Sequence, residues 1–128
     1  MPSASLELVR EYLLAAAERR FQDASRLLDP HALLVFPQGR FAGLEEMAAA
    51  MSSRYHSIAK THQTWDIVAS ETEATILVTT GTLHGVNVHD VPFDGVRFCD
   101  RFVIRDGLIA EQHVWNDLAE SGVLSRRS

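Results

Sequence analysis

The stretch VRFCDRFVIRDGLIAEQHVWND, residues 96–117, holds a single Asp-Gly dipeptide between two runs rich in apolar and aromatic residues. A two-residue Asp-Gly loop is the strongest short-range signal for a β-hairpin, because both residues tolerate the positive φ angles of the tight turn. Counting outward from this turn predicts that Asp100 lies opposite His113. Directly opposed side chains are about 5 Å apart, so the hairpin predicts a contact between these two residues.

Alternation along both strands places this polar pair among large apolar side chains. The predicted inner face carries Phe98, Asp100, Phe102, Ile104, Ile109, Glu111, His113 and Trp115. Polar groups on an aromatic face must be hydrogen-bonded or face a cavity, so Asp100 and His113 are candidates for an acid–base unit. The alternative interpretation is an ordinary cross-strand contact that holds the hairpin together.

The remaining chain predicts helices first and strands second. Helical periodicity covers residues 5–20, 21–29 and 43–58, and residues 31–36 form a short buried strand. From about residue 60 the pattern alternates, and segments rich in β-branched and aromatic residues predict a β-meander. The length corresponds to a single domain over residues 1–128, and its class is α+β, with three N-terminal helices packed on an antiparallel sheet.

Charge and composition exclude several classes of function. The chain has 12 basic and 17 acidic residues and a formal net charge of -5, so no nucleic-acid partner is expected, because phosphate binding needs clustered basic residues. No apolar run is long enough to cross a membrane, and the single cysteine, Cys99, makes a cytoplasmic location the default expectation. Metal-ligand spacing and a glycine-rich phosphate loop are both absent, so neither a metal nor another cofactor is predicted.

Two segments carry a family resemblance. The order of elements, with RLLDPHALLVFPQGRFAG at residues 26–43 and FCDRFVIRDGLIAEQHVW at residues 98–115, resembles the nuclear transport factor 2-like superfamily. The resemblance covers about residues 5–118 and is greatest to the SnoaL-like polyketide cyclase and ketosteroid isomerase branches. It implies a strongly curved sheet, rolled into a cone and closed by helices around a pocket, and often a dimer through the outer face of the sheet.

The resemblance also implies roles for individual residues. Asp100 and Tyr12 fall where ketosteroid isomerases carry a protonated aspartic acid and a phenol that donate to the oxyanion, whereas Phe36 replaces their aspartate base. A phenylalanine cannot abstract a proton, and His113 beside Asp100 favours the ionised carboxylate, so steroid isomerisation is not expected. The pattern is closer to the Asp/His arrangement of SnoaL-like cyclases and dehydratases.

The sequence therefore predicts a cofactor-free enzyme that acts by proton transfer on a small apolar molecule, as a cyclase, isomerase, dehydratase or hydrolase. His113 acts as acid or base, Asp100 orients it, and Tyr12 donates to a substrate oxygen. The predicted pocket walls are Phe36, Met51, Tyr55, Trp65, Phe98, Phe102 and Trp115. Two alternatives stay open, namely Tyr12 as an ordinary helix tyrosine with its hydroxyl in water, and the chain as a non-catalytic ligand-binding or accessory dimer.

The predicted outer face of the hairpin suggests a partner. It carries Cys99, Val103, Ala110 and Val114, bordered by Arg97, Arg101 and Gln112. An apolar centre with a polar border suits a homodimer through this face, and a solvated surface is the alternative. The remaining histidines of the first half, His31, His56 and His62, are predicted to lie at boundaries or on the surface.

Overall fold

Three helices cover one face of a curved six-stranded sheet in the computed structural model, which describes residues 2–69 and 73–123, with side chains from Ala4 onward except that of Ala69. The helices are α1 (Pro2–Ala17), α2 (Phe21–Ser25) and α3 (Leu44–Ser52). The strands are β1 (Leu28–Phe36), β2 (Gly39–Phe41), β3 (Tyr55–Ala69), β4 (Thr75–Asn87), β5 (Pro92–Arg105) and β6 (Leu108–Asn116). This architecture confirms the predicted fold class. Ser70, the last residue of the alternating segment THQTWDIVAS at residues 61–70, lies outside the described residues.

The sheet order is β2-β1-β6-β5-β4-β3, so the strand near the start of the chain joins the hairpin near its end. Neighbouring strands are antiparallel except for β1 and β6, which are parallel and pair Leu34 with Gln112. The Asp-Gly turn is confirmed, because Arg105 pairs with Leu108 and both loop residues, Asp106 and Gly107, have positive φ angles of 53° and 77°. The predicted meander therefore forms β3 to β6.

Both N-terminal helices end earlier than the periodicity predicts. Arg19 adopts a left-handed φ of 59°, and the backbone N–H of Arg20 donates to the carbonyl oxygen of Ala15 at 2.8 Å, which closes α1 in a Schellman motif. α2 stops at Ser25 rather than at residue 29, because the chain enters β1 at Leu28.

The third helix is also shorter than predicted. α3 ends at Ser52, and Tyr55 and Ile58, predicted to continue its apolar face, instead begin β3. A bulge in β3 between Tyr55 and Ser57 puts an extra residue opposite β4. Residues three apart then share one face of a strand, so their spacing fits a bulged strand as well as a helix.

The interior consists of two apolar clusters between the helices and the sheet. The larger one gathers Val9, Tyr12, Ala15, Ala24, Leu28, Ala32, Leu34, Leu44, Met47, Leu77, Phe102, Ile104 and Ile109. The smaller one gathers Tyr55, Leu83, Phe93, Val96, Phe98 and Leu118. Polar side chains between the two clusters mark the candidate site. None of the described helices has both the length and the apolar character needed to cross a membrane.

Candidate functional site

A β-bulge in the final hairpin changes the predicted pairing. Ile104 pairs with Ile109 as expected, but Val103 pairs with Glu111, so Ala110 is an extra residue on β6. From there the register is shifted by one, and Asp100 lies opposite Val114 rather than opposite His113. The predicted Asp100–His113 contact is therefore wrong, because a shift of one residue moves every later side chain of β6 to the other face.

His113 lies on the outer face of the sheet. Its Nε2 is 2.8 Å from Oε1 of Glu111, and its ring stacks on Trp115 with centroids 6.0 Å apart. Trp115, predicted to line the pocket, has 54% of its surface exposed on this outer face. The hydrogen bond with His113 lowers the pKa of Glu111, and the three residues form a surface cluster away from the interior.

The same shift changes the predicted outer face. Gln112 and Val114, predicted to face outward, are 2% and 7% exposed and pair with the inward-facing Phe102 and Asp100. Cys99 and Arg101 keep their outer position, opposite Trp115 and His113. The outer face is therefore more polar than the sequence predicts.

Asp100 lies in the interior with no exposed surface. Its Oδ2 accepts a hydrogen bond from Nζ of Lys60, a side chain on β3 that is 25% exposed. Its Oδ1 is also buried and has no hydrogen-bond partner among the described residues. Burying a carboxylate oxygen without a donor lowers the stability of the fold. Such an unsatisfied atom makes Asp100 a candidate functional residue.

A second bulge brings a different histidine inward. On β3, His62 pairs with Gly81 and Thr64 pairs with Thr80, so Gln63 is the extra residue. His62 and Trp65, three positions apart, therefore share the inner face, where a regular strand would place them on opposite faces. His62 is partly buried, which agrees with the predicted boundary position, but its ring faces the interior, which the sequence pattern did not predict.

The ring of His62 is held on three sides. It stacks on Trp65 with centroids 4.6 Å apart, and it meets the edge of Phe98 at 5.3 Å. Nδ1 shares a hydrogen bond of 2.8 Å with Oγ1 of the buried Thr79. Nε2 has no hydrogen-bond partner among the described side chains. Burial, followed by the positive charge of Lys60, lowers the pKa of His62, so the imidazole is neutral at neutral pH.

Tyr12 is 1% exposed, so the alternative of a hydroxyl in water is wrong. The hydroxyl donates a hydrogen bond to Oε1 of Gln112 at 2.6 Å, and the ring meets Phe102 edge to face at 6.0 Å. Burial, together with the carboxylate of Asp100, raises the pKa of the phenol, which therefore stays protonated. Its proton is committed to Gln112.

The other predicted pocket residues divide into two groups. Phe98 and Phe102 are buried on the inner face and Trp65 is half-buried there, next to Asp100 and His62. Phe36 packs edge to face on Phe41, with centroids 5.9 Å apart, at the sheet edge. Met51 and Tyr55 contact each other through Sδ and the hydroxyl, farther along the smaller cluster.

Two large cavities lie away from Asp100. One of about 690 Å³ covers the outer face and is lined by residues that include Cys99, His113 and Trp115. The other, of about 450 Å³, lies between α1 and the tip of the final hairpin. Neither has Asp100, Lys60 or His62 among its described lining residues. The described residues also contain no group of three side chains able to hold a metal ion.

The sequence carries one signal for the bulge that sequence reasoning missed. Gly81 lies inside β4, and a Cβ there would come within 1.9 Å of the carbonyl oxygen of Thr61. A glycine inside a strand often marks a bulge or a close approach of two backbones. The glycine thus indicates irregular pairing on β3, although it does not say which residue turns inward.

The comparisons with known proteins agree with this fold. The sequence profile of the SnoaL-like domain matches residues 9–112. A protein of the NTF2-like group from Burkholderia pseudomallei, of unknown function, superposes with a TM-score of 0.80 at 16% identity, covering 95% of this chain and 98% of that one. TerC, co-crystallised with polyporic acid, superposes with a TM-score of 0.76 at 12% identity, covering 94% of this chain and 98% of that one.

A further structure comes from Jannaschia sp. CCS1 and is provisionally named a SnoaL-like polyketide cyclase. It superposes with a TM-score of 0.78 at 14% identity, covering 99% of this chain and 94% of that one. No curated protein matches the sequence. Identities this low establish the fold alone, whereas the profile match spans most of the chain. The chain belongs to the SnoaL-like domain family, within the NTF2-like fold.

Proposed function

We propose that the chain is a cofactor-free enzyme that transfers protons on a small, largely apolar molecule, with His62 rather than His113 as its acid–base group. The observation that carries this proposal is the buried Asp100, whose Oδ2 binds Lys60 and whose Oδ1 has no described donor, beside a neutral imidazole. A carboxylate, an ammonium and an imidazole between aromatic rings are groups suited to general acid–base catalysis.

His62 is placed to act as the base. If Nδ1 donates to Thr79, Nε2 carries the lone pair that removes a proton from the substrate. The lowered pKa keeps this lone pair available at neutral pH. The stack on Trp65 and the edge contact with Phe98 fix the ring plane, which reduces the orientation cost of the proton transfer.

Lys60 supplies the complementary charge. Its ammonium group offsets the negative charge that develops on a substrate oxygen when a neighbouring proton leaves. Asp100 holds the ammonium in place and is a positioning residue in this scheme. Isomerisation, cyclisation and dehydration can all proceed through a transition state with negative charge on oxygen, of enolate or alkoxide character. The arrangement therefore defines the proton-transfer step and leaves the overall reaction open.

Solvent deuterium exchange tests the proposal without knowledge of the natural substrate. A panel of small aromatic ketones is incubated with the protein in deuterated buffer, and loss of the α-proton is followed by NMR. The parent protein and His56→Gln, a control on an exposed histidine of the same strand, are expected to catalyse exchange. His62→Gln is expected to lower the rate by about a hundredfold, the usual contribution of a general base. Equal rates in both variants contradict the assignment.

A non-catalytic pocket protein is the second candidate, and a specific observation favours it. Asp100 is fully buried, the phenol of Tyr12 is committed to Gln112, and both large cavities lie elsewhere. In that case the polar groups specify the packing of the sheet and do no chemistry. This second function is supported if no ketone of the panel exchanges its α-proton and if adding the ketones leaves the ring resonances of His62 unchanged.

We also propose a homodimer through the outer face of the sheet, in the cytoplasm. Trp115 and Val68 are large apolar side chains on this face, 54% and 61% exposed, that a partner would cover. Trp115→Glu is expected to shift sedimentation equilibrium toward the monomer. Leu14→Glu is the matched control, because Leu14 is 55% exposed on α1, on the opposite side of the sheet. A larger effect of the control contradicts the proposed interface.

A further inference from the structure

Basic groups converge at one place in an otherwise acidic protein. The chain carries a net charge of -5, yet Arg10, Lys60 and His62 gather around the aromatic rings of Trp65 and Phe98. Cζ of Arg10 lies 5.4 Å from the ring centroid of Trp65, and Nζ of Lys60 lies 5.1 Å from that of Phe98. With His62 between the two rings, the five side chains form one continuous cluster, the basic aromatic cluster.

The positive charge of this cluster is only partly neutralised. Asp100 forms an ion pair with one of the cations, Lys60, through Oδ2 alone. Arg10 is exposed and has no ion pair with any carboxylate of the described part of the chain, although glutamates lie nearby on its own helix. Lys60 and Arg10 both act to lower the pKa of His62, while the carboxylate of Asp100 acts to raise it, with an effect between those of the two cations. A negative charge arriving there is attracted by two cations and repelled by one carboxylate, so one positive charge is in excess.

The aromatic rings of the cluster determine which shape of ligand it can bind. Trp65 is half-buried and its π-face is already engaged by a guanidinium, and the rings of His62 and Trp65 are stacked. A planar apolar ligand can pack beside these rings while its charged group meets the cations. A positively charged ligand is repelled by Arg10 and Lys60.

We propose that the basic aromatic cluster selects an anionic aromatic ligand, a planar apolar ring bearing one carboxylate, sulfonate or phenolate oxygen. Such a ligand is the substrate class of the proposed acid–base site. The inference rests on the proposed function only because both use the same place in the protein. Arg10 is the specificity-determining residue, because it meets the anion from the solvent side and carries no other described ionic contact.

A matched pair of fluorescent probes tests this charge selectivity. Anilinonaphthalene sulfonate and phenylnaphthylamine share one ring system and differ in the sulfonate. The parent protein is expected to bind the sulfonate probe about fivefold more tightly, with the preference reduced by high salt. Arg10→Gln is expected to abolish that preference, read as the ratio of the affinities of the variant for the two probes. Arg97→Gln, a cation 83% exposed on the wall of the outer-face cavity, is the control and is expected to keep the preference.

Three results overturn the proposal. They are equal affinity of the parent protein for both probes, loss of the preference in Arg97→Gln rather than in Arg10→Gln, and no detectable binding of either probe. Probe binding needs no chemistry, so it separates this inference from the proposed catalysis. A charge preference that survives His62→Gln while ketone exchange is absent in the parent supports the ligand class and contradicts the acid–base function.

Discussion

His62 and Trp65 stack with ring centroids 4.6 Å apart although they are three residues apart on one strand. A regular strand turns such residues to opposite faces, and the extra residue Gln63 brings them together. The opposite event occurs in the final hairpin, where Ala110 turns His113 away from Asp100. Two bulges of one residue each thus decide which histidine belongs to the interior.

The shifted hairpin register predicts a specific cross-link. Cys99 lies directly opposite Trp115, whereas an unbulged hairpin places it opposite Val114. Mild oxidation of Trp115→Cys is therefore expected to form an intramolecular disulfide, detected by mass spectrometry of peptides. Burial raises the pKa of the Cys99 thiol, so oxidation is best carried out at mildly alkaline pH. A cross-link in Val114→Cys instead restores the unbulged register and the Asp100–His113 pair.

The surface position of His113 predicts that it interacts with Glu111 and not with Asp100. Because its hydrogen bond lowers the pKa of Glu111, His113→Gln is expected to return that pKa toward its ordinary value. NMR titration of the side-chain carboxyl groups measures this directly. The ring resonances of His113 are expected to respond to Glu111→Gln and to be unaffected by Asp100→Asn. A response to Asp100→Asn alone contradicts the structure.

The contact between Lys60 and Asp100 predicts a stability cost on truncation. Lys60→Met leaves a fully buried carboxylate without its cation, and the free energy of unfolding is expected to fall by about 2 kcal/mol, below the usual range because Lys60 is 25% exposed. Urea denaturation measures the change. Adding Asp100→Asn to Lys60→Met removes the uncompensated charge and is expected to recover part of the loss. If the double variant is less stable than Lys60→Met, the ion pair is not the source of the effect.

The hydrogen bond of Tyr12 predicts a structural role that can be separated from chemistry. Tyr12→Phe leaves Oε1 of the buried Gln112 without its donor and is expected to cost about 1 kcal/mol of unfolding free energy. Ketone exchange is expected to change by less than about threefold, because a general acid or base contributes a hundredfold or more. A hundredfold loss of exchange in a folded variant instead assigns Tyr12 to the chemistry.

The lowered pKa of His62 predicts a pH dependence of stability. The folded protein binds this proton less readily than the unfolded chain, so the unfolded state gains protons first as the pH falls. The contribution of His62 is complete above its unfolded pKa of about 6.5 and is lost as the pH falls through the folded value. Between neutral and mildly acidic pH, the melting temperature is expected to fall less steeply with decreasing pH for His62→Gln than for the parent protein. His56→Gln serves as the exposed control, and an equal slope in all three proteins contradicts the prediction.

The fold followed from local patterns that tolerate small errors. The Asp-Gly turn, the helical stripe of α1 and the alternation of the later strands each depend on many residues, so a bulge does not hide them. The faces of individual side chains depend instead on unbroken counting from the turn. One extra residue, Ala110, therefore reversed the position of His113 and left the hairpin itself as predicted.

The candidate site was predictable only where no bulge intervened. No extra residue lies on β5 between Asp100 and the Asp106-Gly107 turn, and Asp100 was correctly placed inside. Lys60 and His62 were missed because long polar side chains on a strand are ordinarily solvated. Their inward position depends on the pairing partner Gly81 and on the counter-charge of Asp100, both of which are distant in sequence.

Bulges of one residue also affect how such a scaffold diversifies. Deleting Gln63 or Ala110 exchanges every later side chain of that strand between the inner and the outer face of the sheet, and the turns and helices need not change. A single-codon deletion thus replaces a whole set of functional groups at once, a larger step than any point substitution can take.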